Sequence, residues 1–192
     1  DNDEVLALVA DAALANVEGD VVVNLTTSAV MEEVAAAHGR RVYRTPVGEA
    51  NVVEGMLAHR TAIGGEGSNG GIIFPGVHLC RDSYTGMAFL LDRLAKTGST
   101  VTGLAGRLPK FHRLMGKAAF EHGRLGPLMQ ALEGAFPDAK VNRADGLKLM
   151  FEDGAWIHVR ASNTEPLLRM AAEARTDARV ADLFAAVKSI LR

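Results

Sequence analysis

The chain has 192 residues, 48% hydrophobic and 23% charged, with 21 Lys plus Arg against 23 Asp plus Glu and a formal charge of −2. That composition suffices for one large core or two modest ones, and its near-neutral balance excludes a broad nucleic-acid footprint. A single cysteine excludes an internal disulfide and a Cys-rich zinc site, while short apolar runs and no basic-then-apolar opening argue against a membrane span and for a cytoplasmic location.

The chain opens Asp1-Asn2-Asp3-Glu4 instead of on Met, so it reads as a fragment or processed segment. Asp or Asn there can cap a first helix carrying Val5, Leu8, Val9 and Ala12. Val21 to Leu25 is a β-branched run without alternation, the pattern of a strand covered on both faces. Thr26, Thr27 and Ser28 offer caps for a helix with Val30, Met31, Val34, Ala35 and His38, which Gly39 stops. Arg41 to Arg44 is the next strand, and strand, helix and strand in that order predict a right-handed parallel crossover. After Thr45-Pro46-Val47-Gly48, helical spacing resumes at Val52, Val53, Met56 and Leu57. Thr61 to Ile63 leads into a glycine-rich stretch, Gly64 to Gly71, and then Ile72-Ile73-Phe74-Pro75. Asp82 or Ser83 caps a long helix with Met87, Leu90, Leu91 and Leu94.

Between Thr102 and Pro109 periodicity fades, and the domain boundary is placed there. Phe111 to Phe120 reads as a strand weakened by Gly116, and Leu125 to Phe136 holds a helix ended by Pro137. Leu147, Leu149 and Phe151 alternate, Glu152-Asp153-Gly154 turns, and Ile157 and Val159 alternate again, a hairpin signature. Leu168, Met170 and Ala172 keep a period of two, and Thr176 or Asp177 caps a last helix with Val180, Leu183, Phe184, Val187 and Ile190 on one face. The first half is thus α/β, and the second is a smaller α+β domain with a sheet backed by helices.

Two segments carry chemistry. Gly65-x-Gly67-x-x-Gly70 matches the dinucleotide pattern, but Gly71 is followed by a strand-like run, whereas the pyrophosphate needs a helix N-terminus. Glu66 would repel a pyrophosphate and could instead accept hydrogen bonds from sugar hydroxyls, with the glycines letting a ring approach. A tight hairpin and a polar ligand loop both fit these letters. The second segment, Arg160 to Arg169, follows a strand and offers two guanidiniums, two hydroxyls, a carboxamide and loop N–H groups. That is the donor set of a phosphate site. The alternative is a self-satisfied turn with Arg160 and Arg169 paired to surface carboxylates. The six histidines show no metal-ligand spacing, Cys80 reads as a small buried filler, and Trp156 and the methionines read as packing.

Taken together, Gly64-Gly65-Glu66-Gly67-Ser68-Asn69-Gly70-Gly71 and Arg160-Ala-Ser-Asn-Thr-Glu-Pro-Leu-Leu-Arg169 resemble the α-D-phosphohexomutase family, with further landmarks at Arg44 to Gly48 and Asp145 to Lys148. The family comprises isomerases of carbohydrate metabolism: phosphoglucomutase, phosphomannomutase and phosphoglucosamine mutase. Its members have four domains around a cleft, and the resemblance implies only the third and fourth here. These are a mixed-sheet α/β/α domain over 1–105 with the sugar-binding loop and an α+β domain over 106–192 with the phosphate-binding loop. It implies that Glu66 and Ser68 or Asn69 contact sugar hydroxyls, and that Arg160, Ser162, Asn163, Thr164 and Arg169 grip the non-reacting phosphate of a hexose phosphate. The family's phosphoserine and its Mg²⁺-binding aspartate loop belong to the first two domains. Neither motif occurs in this chain, which is therefore expected to be inactive alone and to lack both its N-terminal partner domains and the metal. The Asn-Gly-Gly form of the loop leans towards glucosamine or mannose phosphates. A non-catalytic sugar-phosphate binding or regulatory module is the alternative.

Overall fold

A computed structural model describes residues 1–68, 70–162 and 165–191. It divides into two compact units, Asp1–Lys110 and Phe111–Arg192. Among the described residues no helix is long and apolar enough to cross a membrane.

Unit 1 alternates helices and strands: α1 (Asn2–Leu14), β1 (Val21–Asn24), α2 (Val30–Ala37), β2 (Val42–Thr45), α3 (Glu49–His59), β3 (Ile63–Glu66), β4 (Gly71–Phe74), β5 (His78–Arg81), α4 (Ser83–Thr97) and α5 (Val101–Ala105). The strands form one mixed sheet in the order β2-β1-β3-β4-β5. β1 runs parallel to β2 and β3, and β4 and β5 return antiparallel. Every residue of β1 and β3 is buried, because helices cover both faces. The glycines of β3 show how: a Cβ on Gly64 would lie 2.4 Å from Met56 Sδ of α3, and one on Gly65 would lie 2.7 Å from Leu6 of α1. Neighbouring strand residues face opposite ways, so each glycine admits a helix on its own side. These two glycines serve helix packing and not ligand approach, contrary to the expectation for the glycine-rich stretch.

Local signals explain most element ends. Asp1 and Glu4 form a capping box on α1, Asp82 accepts from Tyr84 N at the start of α4, and Gly98 ends that helix in the left-handed region. Two expectations, on the cap of α2 and on Cys80, need correction. Thr26 and Thr27 do not cap α2, because both turn back to Asn24; only Ser28 reaches the helix, accepting from Val30 N at 3.1 Å. Along the apolar stripe of α4, Met87 is 52% and Leu91 65% exposed, while Leu90 and Leu94 are half-buried. The helix rests on Gly86, whose position is 3.0 Å from Ile72 by the built Cβ; helical periodicity identifies a stripe but not the side that packs. Cys80 is exposed on the edge strand β5, not buried.

Unit 2 contains β6 (His112–Ala119), a 3₁₀ turn (His122–Arg124), α6 (Leu125–Ala135), β7 (Lys140–Asn142), β8 (Leu147–Met150), β9 (Trp156–Ala161), β10 (Leu167–Ala174) and α7 (Asp177–Ile190). Its sheet runs β6-β10-β9-β8-β7, antiparallel throughout. Leu147, Leu149, Ile157, Val159, Leu168, Met170 and Ala172 alternate onto one face and pack with Leu128 and Leu132 of α6 and Val180, Leu183, Phe184 and Val187 of α7. Each such large side chain contributes roughly 1.5–3 kcal/mol by leaving water. Gly116 keeps its strand because a Cβ there would meet the Phe184 ring at 2.7 Å.

Candidate functional site

In unit 1 the carboxyl ends of the parallel strands β1, β2 and β3 share one edge of the sheet, where α/β folds place their ligands. Glu66 ends β3 there and is only 3% exposed. Its Oε1 accepts from Asn24 Nδ2 at 2.7 Å and from Gly48 N at 2.8 Å. Asn24, fully buried at the end of β1, is itself locked. Its Oδ1 accepts the N–H and hydroxyl of Thr26, both at 3.0 Å, and the N–H and hydroxyl of Thr27, both at 2.9 Å. The Thr27 hydroxyl in turn accepts from Gly67 N at 3.0 Å. Asp3 of α1 completes the edge by accepting from Ser28 N at 2.8 Å.

Gly67 lies against this last residue so closely that a Cβ would fall 1.7 Å from Asp3 Oδ1. Arg44 clamps the same turn from β2, donating to the carbonyls of Asn24, Thr27 and Ser28 and pairing with Glu32. The Glu66 carboxylate is thus nearly buried, with Oε1 held by two donors. Ser68 is exposed on the turn beyond, and its carbonyl accepts from Asn2 Nδ2 at 3.1 Å. Asn69, the other expected sugar contact, lies outside the described residues. Glu66 and Gly71 pair as the last rung of a β3–β4 hairpin, so a strand and not a helix follows the loop. The dinucleotide pattern is therefore coincidental.

In unit 2 Arg160 and Arg169 are direct cross-strand partners in β9 and β10, and Lys117 of β6 is the partner of Arg169 on its other side. Directly opposed residues share a face with Cβ atoms about 5 Å apart, and like charges so placed repel. Three cations thus line up on adjacent strands, near the end of β9 and the start of β10. The available carboxylates offset them weakly: Arg169 meets Glu165 at 3.2 Å with both half exposed, and Arg160 stands 3.9 Å from Asp145. Ser162 is buried and its N–H donates to Leu167 O at 2.8 Å. Asn163 and Thr164 lie outside the described residues.

Behind Arg160, the turn at Asp145-Gly146 is tied to β9, with His158 Nε2 and Asp145 O 2.5 Å apart. Burial lowers the His158 pKa below the ordinary histidine value, opposed by its bond to the Asp145 carbonyl. Gly146, at φ +77°, packs directly on Arg160.

Reading residues in sequence order misses Asn24, Thr27 and Gly48 as the supports of Glu66, and Lys117 as the neighbour of Arg169. Strand register is the signal that finds Asn24 and Lys117, whereas Thr27 and Gly48 lie in turns outside the strands. The histidines do find carboxylates, His38 with Asp11, His78 with Asp82 and His112 with Asp177, but among the described residues no group of three or more His, Cys, Asp or Glu could hold a metal.

Comparison with known proteins places both units. Residues 1–111 match the family model for the phosphoglucomutase/phosphomannomutase alpha/beta/alpha domain III, and residues 124–190 match that family's C-terminal domain. A phosphoglucomutase/phosphomannomutase of Thermococcus kodakarensis is 37% identical over 91% of the chain and 38% of its own length. A probable phosphoglucosamine mutase of Methanopyrus kandleri is 32% identical over 94% of the chain and 40% of its own length. The fold is that of a phosphoglucomutase/phosphomannomutase family protein from Burkholderia thailandensis, with a TM-score of 0.80 at 22% identity over 98% of this chain and 41% of that one. The chain therefore spans about two-fifths of the length of the curated relatives it matches. With domain models covering both of its units, the chain belongs to the phosphoglucomutase/phosphomannomutase family.

Proposed function

We propose that this chain is the substrate-binding C-terminal half of a phosphohexomutase that interconverts hexose 1-phosphates and 6-phosphates through a phosphoserine and a bisphosphate intermediate. In this reading Glu66, with Ser68 and Asn69, accepts hydrogen bonds from ring hydroxyls. Arg160 and Arg169, with Ser162, Asn163 and Thr164, hold the phosphate that does not react. The phosphoserine and the Mg²⁺ site are assigned to the part of the relatives' length that this chain does not span, and its own residues bind and orient. Positioning is the main contribution a protein makes to phosphoryl transfer, so holding the inert end of the sugar phosphate is a share of catalysis. Phosphoglucosamine is the favoured sugar, since several of the similar proteins bear that name.

The observation that carries the reading is the row Lys117, Arg169 and Arg160 on adjacent strands, an arrangement whose repulsion a bound dianion relieves. Titration calorimetry with the 6-phosphates of glucosamine, mannose and glucose tests it. Arg160→Ala weakens binding by roughly 10- to 100-fold, the loss of a charge-assisted, bidentate contact of about 1.5–3 kcal/mol, and added salt weakens the wild type in parallel. A change of less than about twofold refutes the phosphate assignment.

A further inference from the structure

We propose that Asn24 is a positioning residue for the ligand-reading carboxylate of Glu66, an inference that rests on the proposed role of Glu66 and extends it to a residue buried behind the site. An asparagine amide can face its carboxylate neighbour with either end, and only the NH₂ end attracts. Here Thr26 and Thr27 decide. Their two backbone N–H groups occupy Oδ1 at 3.0 and 2.9 Å, and a backbone N–H can only donate, so Nδ2 must point at Glu66 Oε1, 2.7 Å away. The Gly48 N–H approaches the same oxygen at 2.8 Å. Two donors, each fixed by backbone, leave the carboxyl group of Glu66 with one orientation.

Charged groups on the elements around this pair include Arg44 on β2, which donates to the Asn24 carbonyl and pairs with Glu32 on α2, Asp3 on α1, and Arg81 on β5 with its partner Glu49 on α3. Each arginine is thus matched by a glutamate. The donor that Glu66 receives from β1 comes from the amide of Asn24, which is not titratable and cannot be lost with pH.

Asn24→Asp makes that donor titratable. Two carboxylates sharing a site retain a proton to higher pH than either would alone. While the introduced carboxyl group carries the proton, its hydroxyl donates to Glu66 Oε1 as the amide does; once the proton leaves, two anions face each other and Glu66 is displaced. The affinity of the variant for glucosamine 6-phosphate, divided by that of the wild type at each pH, is therefore expected to fall about tenfold between roughly pH 5.5 and 8.5. Taking the ratio removes the titration of the ligand's own phosphate. Inorganic phosphate, which has no ring hydroxyls, binds both proteins equally across the range.

Thr27→Val offers a second route should Asn24→Asp not fold. It removes one Oδ1 partner and the acceptor for Gly67 N, loosening the lock without a new charge, and should weaken glucosamine 6-phosphate roughly three- to fivefold at every pH while leaving inorganic phosphate unaffected. A pH-independent ratio for Asn24→Asp, whether near one or uniformly reduced, overturns the proposal, as does an unchanged affinity in Thr27→Val. Glu66→Gln separates the two levels. If it leaves sugar phosphate binding intact, the role given to Glu66 fails; if it weakens binding while the Asn24→Asp ratio stays flat, only the role of Asn24 fails.

Discussion

Gly146→Ala is the substitution for which the geometry makes the sharpest demand. Gly146 has φ +77°, and an alanine there accepts the left-handed region at a cost of about 1–2 kcal/mol. The added Cβ would also lie 2.4 Å from Val159 O, 2.7 Å from Arg160 Cβ and 2.9 Å from Arg160 Cα. Those atoms belong to β9, which is hydrogen-bonded on one side to β8 and on the other to β10, so the strand cannot retreat and the turn must. Overpacking of this kind costs about 1–3 kcal/mol, for a total of roughly 2–5 kcal/mol. In a unit of this size each kcal/mol moves the midpoint by roughly 4–8 °C, so the loss is at least about 8 °C. Trp156 is the one tryptophan and is 3% exposed in unit 2, which makes its fluorescence a reporter of that unit. Gly154→Ala is the internal control: it has φ +79° with nothing within 4 Å, and it should show the backbone cost alone. Equal losses in the two variants would refute the steric argument, and with it the claim that the Asp145-Gly146 turn braces Arg160.

Gly134 sits exposed in α6 with nothing within 4 Å of a built Cβ, so Gly134→Ala should stabilise unit 2 by about 0.5 kcal/mol through helix propensity and a less flexible unfolded chain, raising the Trp156 transition by a few degrees. A fall in the transition would contradict it. His158, whose pKa is lowered by burial, stays neutral in the fold while the unfolded chain takes up a proton below about pH 6.5. The unfolded state then binds more protons, so stability is complete above that pH and declines as pH falls below it, by at most about 1.4 kcal/mol per pH unit. His158→Gln keeps a donor for the Asp145 carbonyl and should lose this slope in denaturant titrations at pH 7.5 and 5.5; an unchanged slope would exclude His158 as its source.

How much of this is legible in the sequence depends on how local each cause is. The capping box at Asp1 and Glu4, the Glu152 to Gly154 turn and the alternation through Ile157 and Val159 act within a few residues, and those elements are read correctly. The short elements α5 and β7 have too few residues to show a period and escape such a reading. Cys80 is misplaced by it because exposure is set by neighbours, and for the same reason periodicity does not say how α4 packs: Gly86 settles onto Ile72 and turns Met87 and Leu91 outward. The candidate site divides in the same way. Glu66 and Arg160 stand out by residue type and setting, whereas Asn24 meets Glu66 across a separation of 42 residues and Gly48 meets it across 18. Lys117 lies beside Arg169 only through the register of β6 on β10.

The two candidate sites are supported by opposite physics, and that difference governs how they fail. Glu66 is 3% exposed and held by groups from β1 and from the turn before α3, so a change in its supports leaves buried polar groups without partners, a penalty of about 1–3 kcal/mol each. Affinity and stability should therefore move together in unit 1. The arginines of unit 2 have side chains 19% and 50% exposed and weak carboxylate neighbours. Removing one relieves cross-strand repulsion as readily as it breaks an ion pair. Under the proposed roles, substitution of Arg160 or Arg169 should lower anion affinity with the fold of unit 2 intact, whereas a loss of binding at Glu66 has to be read beside a stability measurement on the same variant.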